Sequence, residues 1–235
     1  MRQIIAMGGG GFSMEPDNLA LDRYVLAQTG KARPRVCFLP TASGDAEGYV
    51  VNFYTAFTQL DCQPSHLFLF RVPTADLTSF VLEKDAIYVG GGNTRSMLAL
   101  WREWGLDRIL KTAWENGIVL AGLSAGAICW FEQGVTDSVP GRLGPLDCLG
   151  LLPGSCCPHH DGETERRPAY QRLIAAGNIS SGYGIDDGVA LHFDDQALRY
   201  IVSSRRTAKA YRVAKTAGGV EERELEAVYL PGSVS

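Results

Sequence analysis

With 235 residues, 46% of them apolar, 20% charged and 27 of them glycine, the chain can bury a sizeable core in one compact domain spanning residues 1–235, which excludes a disordered, collagenous or coiled-coil chain. Lysine and arginine number 22 against 26 aspartate and glutamate, a formal net charge of −4, so no strong attraction to a nucleic-acid backbone is expected and no such partner is assigned. The apolar stretch Met1–Met7 runs straight into Gly8–Gly11 and is too short for a leader or a membrane span, so a cytoplasmic chain with no membrane partner is expected.

In chain order, the apolar runs Ile4–Met7, Val36–Leu39, His66–Phe70, Ala86–Val89 and Ile118–Ala121 have the composition of buried parallel strands. Helix-like spacing fills the intervals at Asn18–Gln28, Gly48–Leu60, Leu77–Leu82 and Thr94–Asn116, interrupted by Gly30, Pro64, Pro73 and Gly105. Such alternation predicts a three-layer α/β sandwich around a mostly parallel central sheet. After about Gly134 the rhythm changes. Pro140–Pro158 reads as a long ordered surface loop, and Val189–Phe193, Leu198–Ser203, Ala208–Val213 and Ala227–Leu230 read as strands added antiparallel near the C-terminus. Six cysteines are too few for a disulfide scaffold; Cys37, Cys62 and Cys129 sit in apolar runs as reduced thiols, and the pair Cys156-Cys157 reads as inert packing.

Chemistry concentrates first in Gly122-Leu123-Ser124-Ala125-Gly126, a strand running into Gly-x-Ser-x-Gly and then into a helical pattern over Ala127–Glu132. A nucleophile elbow needs small neighbours because its serine sits at strained dihedrals in a tight turn, and it leaves the Ala125 amide at a helix start, facing a developing oxyanion. A glycine-rich turn with a solvated serine shares the same five-residue pattern. A serine hydroxyl is unreactive at neutral pH, so the elbow requires a histidine base and an acid to orient it. Of four histidines, His66 opens an apolar run and His192 alternates within a strand, which leaves Pro158-His159-His160-Asp161. The rigid proline aims His159 at the sheet edge, with His160 the alternative. Zinc at Cys156-Cys157-Pro158-His159-His160 is not expected, because adjacent ligands diverge and no second ligand pair completes a tetrahedron. For the acid, Gly184-Ile185-Asp186-Asp187-Gly188 is a turn at a strand edge, giving the chain order Ser124, His159, Asp187. The run Gly90-Gly91-Gly92-Asn93-Thr94 lacks the spacing of a dinucleotide or P-loop fingerprint, so no cofactor is expected; its glycines can offer a second oxyanion amide while Asn93 and Thr94 cap the next helix.

These four ordered motifs, from Gly8 to Val189, resemble the peptidase E family of serine peptidases, which includes cyanophycinase. The resemblance implies a class I glutamine amidotransferase-like fold with Ser124 as nucleophile, His159 as base and Asp187 where the family usually has glutamate, Asp186 being the alternative acid. It implies oxyanion amides at Gly91 or Gly92 and at Ala125. It also implies a cytosolic exopeptidase on small peptides, dipeptides with an N-terminal aspartate foremost, acting through an acyl-enzyme. The family's aspartate-reading arginine lies in a Gly-Glu-Thr-Arg segment; here Gly162-Glu163-Thr164-Glu165-Arg166 carries one extra residue, so Arg166, with Asn93 beside it, is the substrate-binding candidate. A β-aspartyl or cyanophycinase-like activity and a non-catalytic binding module are the alternatives. A homodimer is compatible with this reading.

Overall fold

A computed structural model of the chain describes residues 1–231. The first half alternates β1 (Gln3–Met7), α1 (Gly11–Met14), α2 (Ala20–Ala27), β2 (Arg35–Leu39), α3 (Glu47–Phe57), β3 (Gln63–His66), α4 (Leu77–Leu82), β4 (Ala86–Val89), α5 (Thr94–Glu103), α6 (Leu106–Glu115), β5 (Val119–Leu123) and α7 (Ala125–Ile128). The second half is dominated by strands: β6 (Phe131–Val139), β7 (Arg142–Asp147), β8 (Leu152–Cys157), α8 (Arg166–Ala176), β9 (Gly182–Ile185), β10 (Val189–Asp194), β11 (Ala197–Ser203), β12 (Ala210–Thr216), β13 (Gly219–Leu225) and β14 (Val228–Tyr229).

Eight strands form the central sheet in the order β14-β11-β10-β1-β5-β4-β2-β3. From β1 to β3 the neighbours run parallel, while β10 and β11 join antiparallel at the other side. Alternate residues of each central strand face opposite cores, as the period of two requires. Ile4, Ala6, Cys37, Leu39, Ile87, Val89 and Leu120 meet Trp101 of α5 and Leu110 of α6. Ile5, Met7, Val36, Phe38, Tyr88 and Ala121 meet Val25 of α2 and Phe53 of α3. Both faces are therefore covered, which makes the three layers; each fully buried Val, Leu, Ile, Met or Phe side chain among them is worth roughly 1.5–3 kcal/mol of burial.

The structure departs from the sequence expectation where local pattern and long-range pairing compete. The run His66–Phe70 is mostly loop, since β3 ends at His66 and the amides of Leu69 and Phe70 donate to the Asp45 carboxylate at 2.7 and 2.9 Å. The interruption expected at Gly105 is present, in contrast: its φ of 66° ends one helix, and the stretch Thr94–Asn116 is two. Helix α7 stops at Ile128, and Phe131 already belongs to β6. Pro140–Pro158 is not a surface loop: it holds β7 and β8, which with β6, β9, β12 and β13 build a second, six-stranded sheet in the order β13-β12-β9-β8-β6-β7. On it α8 packs Tyr170 and Ile174 against Val135, Cys157 and Val213. Cys156 and Cys157, one residue apart on β8, face different cores. All six cysteines are unbonded, and burial pushes the Cys157 thiol up to about 12. Among the described residues no helix is long and apolar enough to cross a membrane.

Candidate active site

The parallel strands β1, β4 and β5 deliver Gly8, Gly90 and Ser124 to one edge of the central sheet, the carboxyl edge where open α/β sheets gather their ligands. Ser124 follows β5 directly and holds φ 55°, ψ −114°, a left-handed conformation that a non-glycine residue adopts only when its surroundings impose it. They do so through backbone. The Ser124 amide donates to the Met7 carbonyl at 3.1 Å, and its carbonyl accepts from Ala127 and Ile128. Gly126 lies so close to the Val89 carbonyl that any Cβ there would collide with it. The Ala125 amide, at the first helical position, has no intrahelical acceptor.

His159 follows Pro158 at the end of β8 and also takes a positive φ, 53°. Its Nε2 lies 2.9 Å from Ser124 Oγ and its Nδ1 2.7 Å from Asp187 Oδ1. An ionised carboxylate only accepts, so Nδ1–H donates to Asp187 and Nε2 is left to accept from the serine hydroxyl. The neighbouring His160 turns away: it is buried against Tyr170 and Tyr211, with Nε2 3.1 Å from Glu222, and burial, opposed by Glu222, lowers its pKa.

Asp187 sits between β9 and β10, where its amide donates to Asp161 at 2.8 Å. Gly9, just past β1, bridges to it, and a Cβ at Gly9 would occupy the space of its carboxylate; the Gly8–Gly11 run therefore makes room for the acid. Burial alone would raise the Asp187 carboxyl. The bond from His159 and the charges of His159, Arg205 and Arg166 outweigh it and hold the group below its ordinary value of 3.8. Asp186 behaves oppositely. It points away from the histidine, accepts from the Lys209 amide at 2.9 Å and buries Oδ1 with no partner among the described residues, and burial pushes it up to about 6.

Ser124 and His159 open into a cavity of about 280 Å³ lined also by Gly92, Asn93, Asp137, Ser138, Glu163 and Arg166. Of the two glycines offered for an oxyanion amide, Gly91 has its N–H donated to the Tyr49 hydroxyl at 3.2 Å. The Gly92 amide makes no hydrogen bond among the described residues. Asn93 lines the cavity with its side chain engaged, Oδ1 accepting from the Ser96 amide at 2.9 Å and Nδ2 donating to the Ser138 carbonyl at 3.0 Å. Arg166 is in the wall but is no free fork. Its Nε donates to Glu163 at 2.7 Å, Nη1 to the Val135 carbonyl at 3.2 Å, and Nη2 lies 3.4 Å from Asp137. Sequence reading missed Asp137 and Ser138, which β6 brings in from a stretch with no recognisable motif; Glu163 was visible only as the neighbour of Arg166.

The model of peptidase family S51 matches residues 4–201. A Bacillus subtilis protein named uncharacterized peptidase YgaJ is 62% identical over 230 residues, covering 98% of this chain and 100% of its own length. A Drosophila melanogaster protein named probable alpha-aspartyl dipeptidase is 28% identical over 200 residues, 80% of this chain and 78% of its own. The crystal structure of a peptidase from an acI-B1 Actinobacterium superposes with a TM-score of 0.71 over 96% of this chain and 94% of that one, at 18% identity, which is a likeness of fold.

Proposed function

From the premise that the chain belongs to peptidase family S51 and is a serine-type peptidase, we propose that it cleaves short peptides beginning with aspartate, through Ser124, His159 and Asp187. The observation that carries this reading is the unbroken Ser124–His159–Asp187 hydrogen-bond chain opening into a cavity walled by two acids and one arginine.

In this mechanism Ser124 Oγ attacks the scissile carbonyl carbon while its proton passes to His159 Nε2. Asp187 keeps the imidazole in the tautomer that can accept that proton and stabilises the cation that results. The carbonyl oxygen takes the negative charge and meets the amides of Ala125 and Gly92. Collapse breaks the C–N bond, and His159 returns the proton to the departing amine. Water, deprotonated by the same Nε2, then attacks the acyl ester; the acyl C–Oγ bond breaks and His159 returns the proton to Ser124 Oγ. Asp137 and Glu163 suit the substrate's α-ammonium, and the positive charge of the Arg166 guanidinium that they hold suits an aspartate side chain, so the wall complements a residue carrying both charges. The name of the Drosophila relative points the same way.

A dipeptide panel tests the reading. Asp-Leu is expected to exceed Ala-Leu and β-Asp-Leu in kcat/KM by at least about 10²-fold, since a site that pairs with a substrate polar group can reject an analogue lacking it by as much as about 10⁴–10⁵-fold. Equal rates on Asp-Leu and Ala-Leu would remove the aspartate assignment, and a preference for β-Asp-Leu would reassign the linkage.

A further inference from the structure

A second cavity, of about 190 Å³, adjoins the first and is lined by Arg95, Arg142, Thr136, Ser138 and the apolar Val139, Pro145 and Leu146. Ser138 belongs to the walls of both cavities and is the residue that they share. The shared wall is bolted together: the Arg95 amide donates to Ser138 Oγ at 3.2 Å, Asn93 Nδ2 to the Ser138 carbonyl at 3.0 Å, and the Thr136 and Ser138 hydroxyls lie 2.7 Å apart. The hairpin of β6 and β7 is thereby fixed to the start of α5, and it carries Arg142 toward Arg95. Arg166, in the neighbouring cavity, is held by Glu163 and Asp137. Arg95 and Arg142 are exposed and, among the described residues, no carboxylate lies within ion-pair distance of either.

Two guanidinium groups without acids beside the apolar Val139, Pro145 and Leu146, one cavity away from the nucleophile, have the chemistry of a receptor for a carboxylate attached to an apolar side chain. We propose that Arg95 and Arg142 are specificity-determining residues that form a subsite for the α-carboxylate of the leaving residue. This rests on the hydrolytic reading above. A one-residue leaving group carries its carboxylate about one residue span, roughly 3.8 Å between Cα atoms, beyond the acyl residue, and a longer peptide puts a neutral amide there instead. The acids Asp137 and Glu163 on one side and the arginines on the other match the two charged ends of a dipeptide. Val139, Pro145 and Leu146 would take the leaving side chain.

The test compares Asp-Leu with Asp-Leu-amide, and Ala-Leu with Ala-Leu-amide, on one preparation of each protein, so that a loss of folded enzyme cancels in the ratio. Wild type is expected to favour the free acid about tenfold or more in kcat/KM, mainly through KM. The double variant Arg95→Ala/Arg142→Ala is expected to bring the ratio to about one, and Arg95→Lys/Arg142→Lys to retain a clear preference because the charge remains. Equal wild-type rates on acid and amide, or an undiminished ratio in the double alanine variant, overturn the subsite while the peptidase reading stands. Hydrolysis of none of the four compounds overturns both.

Discussion

Ser124 and its two hydrogen-bonded partners are held by opposite means. On the Ser124 side the backbone does the holding: the Met7 carbonyl of β1, the Val89 carbonyl of β4 packed on Gly126 and the short helix that opens at Ala125 fix the residue. On the other side the positions come from side chains across long separations, with His159 bonded to Asp187 28 residues away and Gly9, from the far end of the chain, clearing space for the acid. A residue held by backbone sterics survives loss of its side chain and fails on addition of one at its neighbours. A residue held by side-chain bonds loses its function with a single atom.

Breaking the side-chain half at its acid, Asp187, is expected to have a large effect. Asp187→Asn keeps the shape and removes the acceptor that fixes the histidine tautomer, so kcat is expected to fall roughly 10²–10⁴-fold with a modest change in KM. Steady-state kinetics at pH 7 to 8 measure it; a greater loss in Asp186→Asn, or losses under about tenfold in both, would mean that a different carboxylate orients His159.

A smaller, thermodynamic effect separates the two adjacent carboxyls. Asp186 ionises at about 6 in the fold against 3.8 ordinarily, so between those values the folded state holds a proton that the unfolded chain has lost, and stability falls as pH rises through that window. Asp187, held below 3.8, contributes in the opposite sense: its stabilisation is present above that value and is lost as pH falls through its folded pKa. The Tm of Asp186→Asn is therefore expected to gain on wild type between about pH 4 and pH 7. A Tm difference that stays flat over this range would show that Asp186 ionises in the fold as it does in the unfolded chain.

The same contrast governs what the sequence disclosed. Strands β1, β2, β4 and β5 are readable because burial on both faces makes them continuous apolar runs, and the elbow is readable because its small residues are consecutive. The second sheet is not. Strand β7 holds Gly144 and Pro145 and survives only as an edge; β9 opens with Gly182, packed against the Ser155 carbonyl, and β13 is rich in glutamate. Each of these is a strand by virtue of its partners. Arg166 shows the limit at the level of one residue: sequence put it near the substrate, while its bonds to Glu163 and Val135 depend on where β6 and α8 meet.

The central claim is that Ser124 is a nucleophile activated by His159, and covalent labelling addresses it without presuming a substrate. After incubation with a serine-directed phosphonate, intact-protein and peptide mass spectrometry are expected to find one adduct, on Ser124, formed at least about 10²-fold more slowly in His159→Ala and not formed in Ser124→Ala. An adduct on another residue, or labelling of His159→Ala at the wild-type rate, would contradict the account.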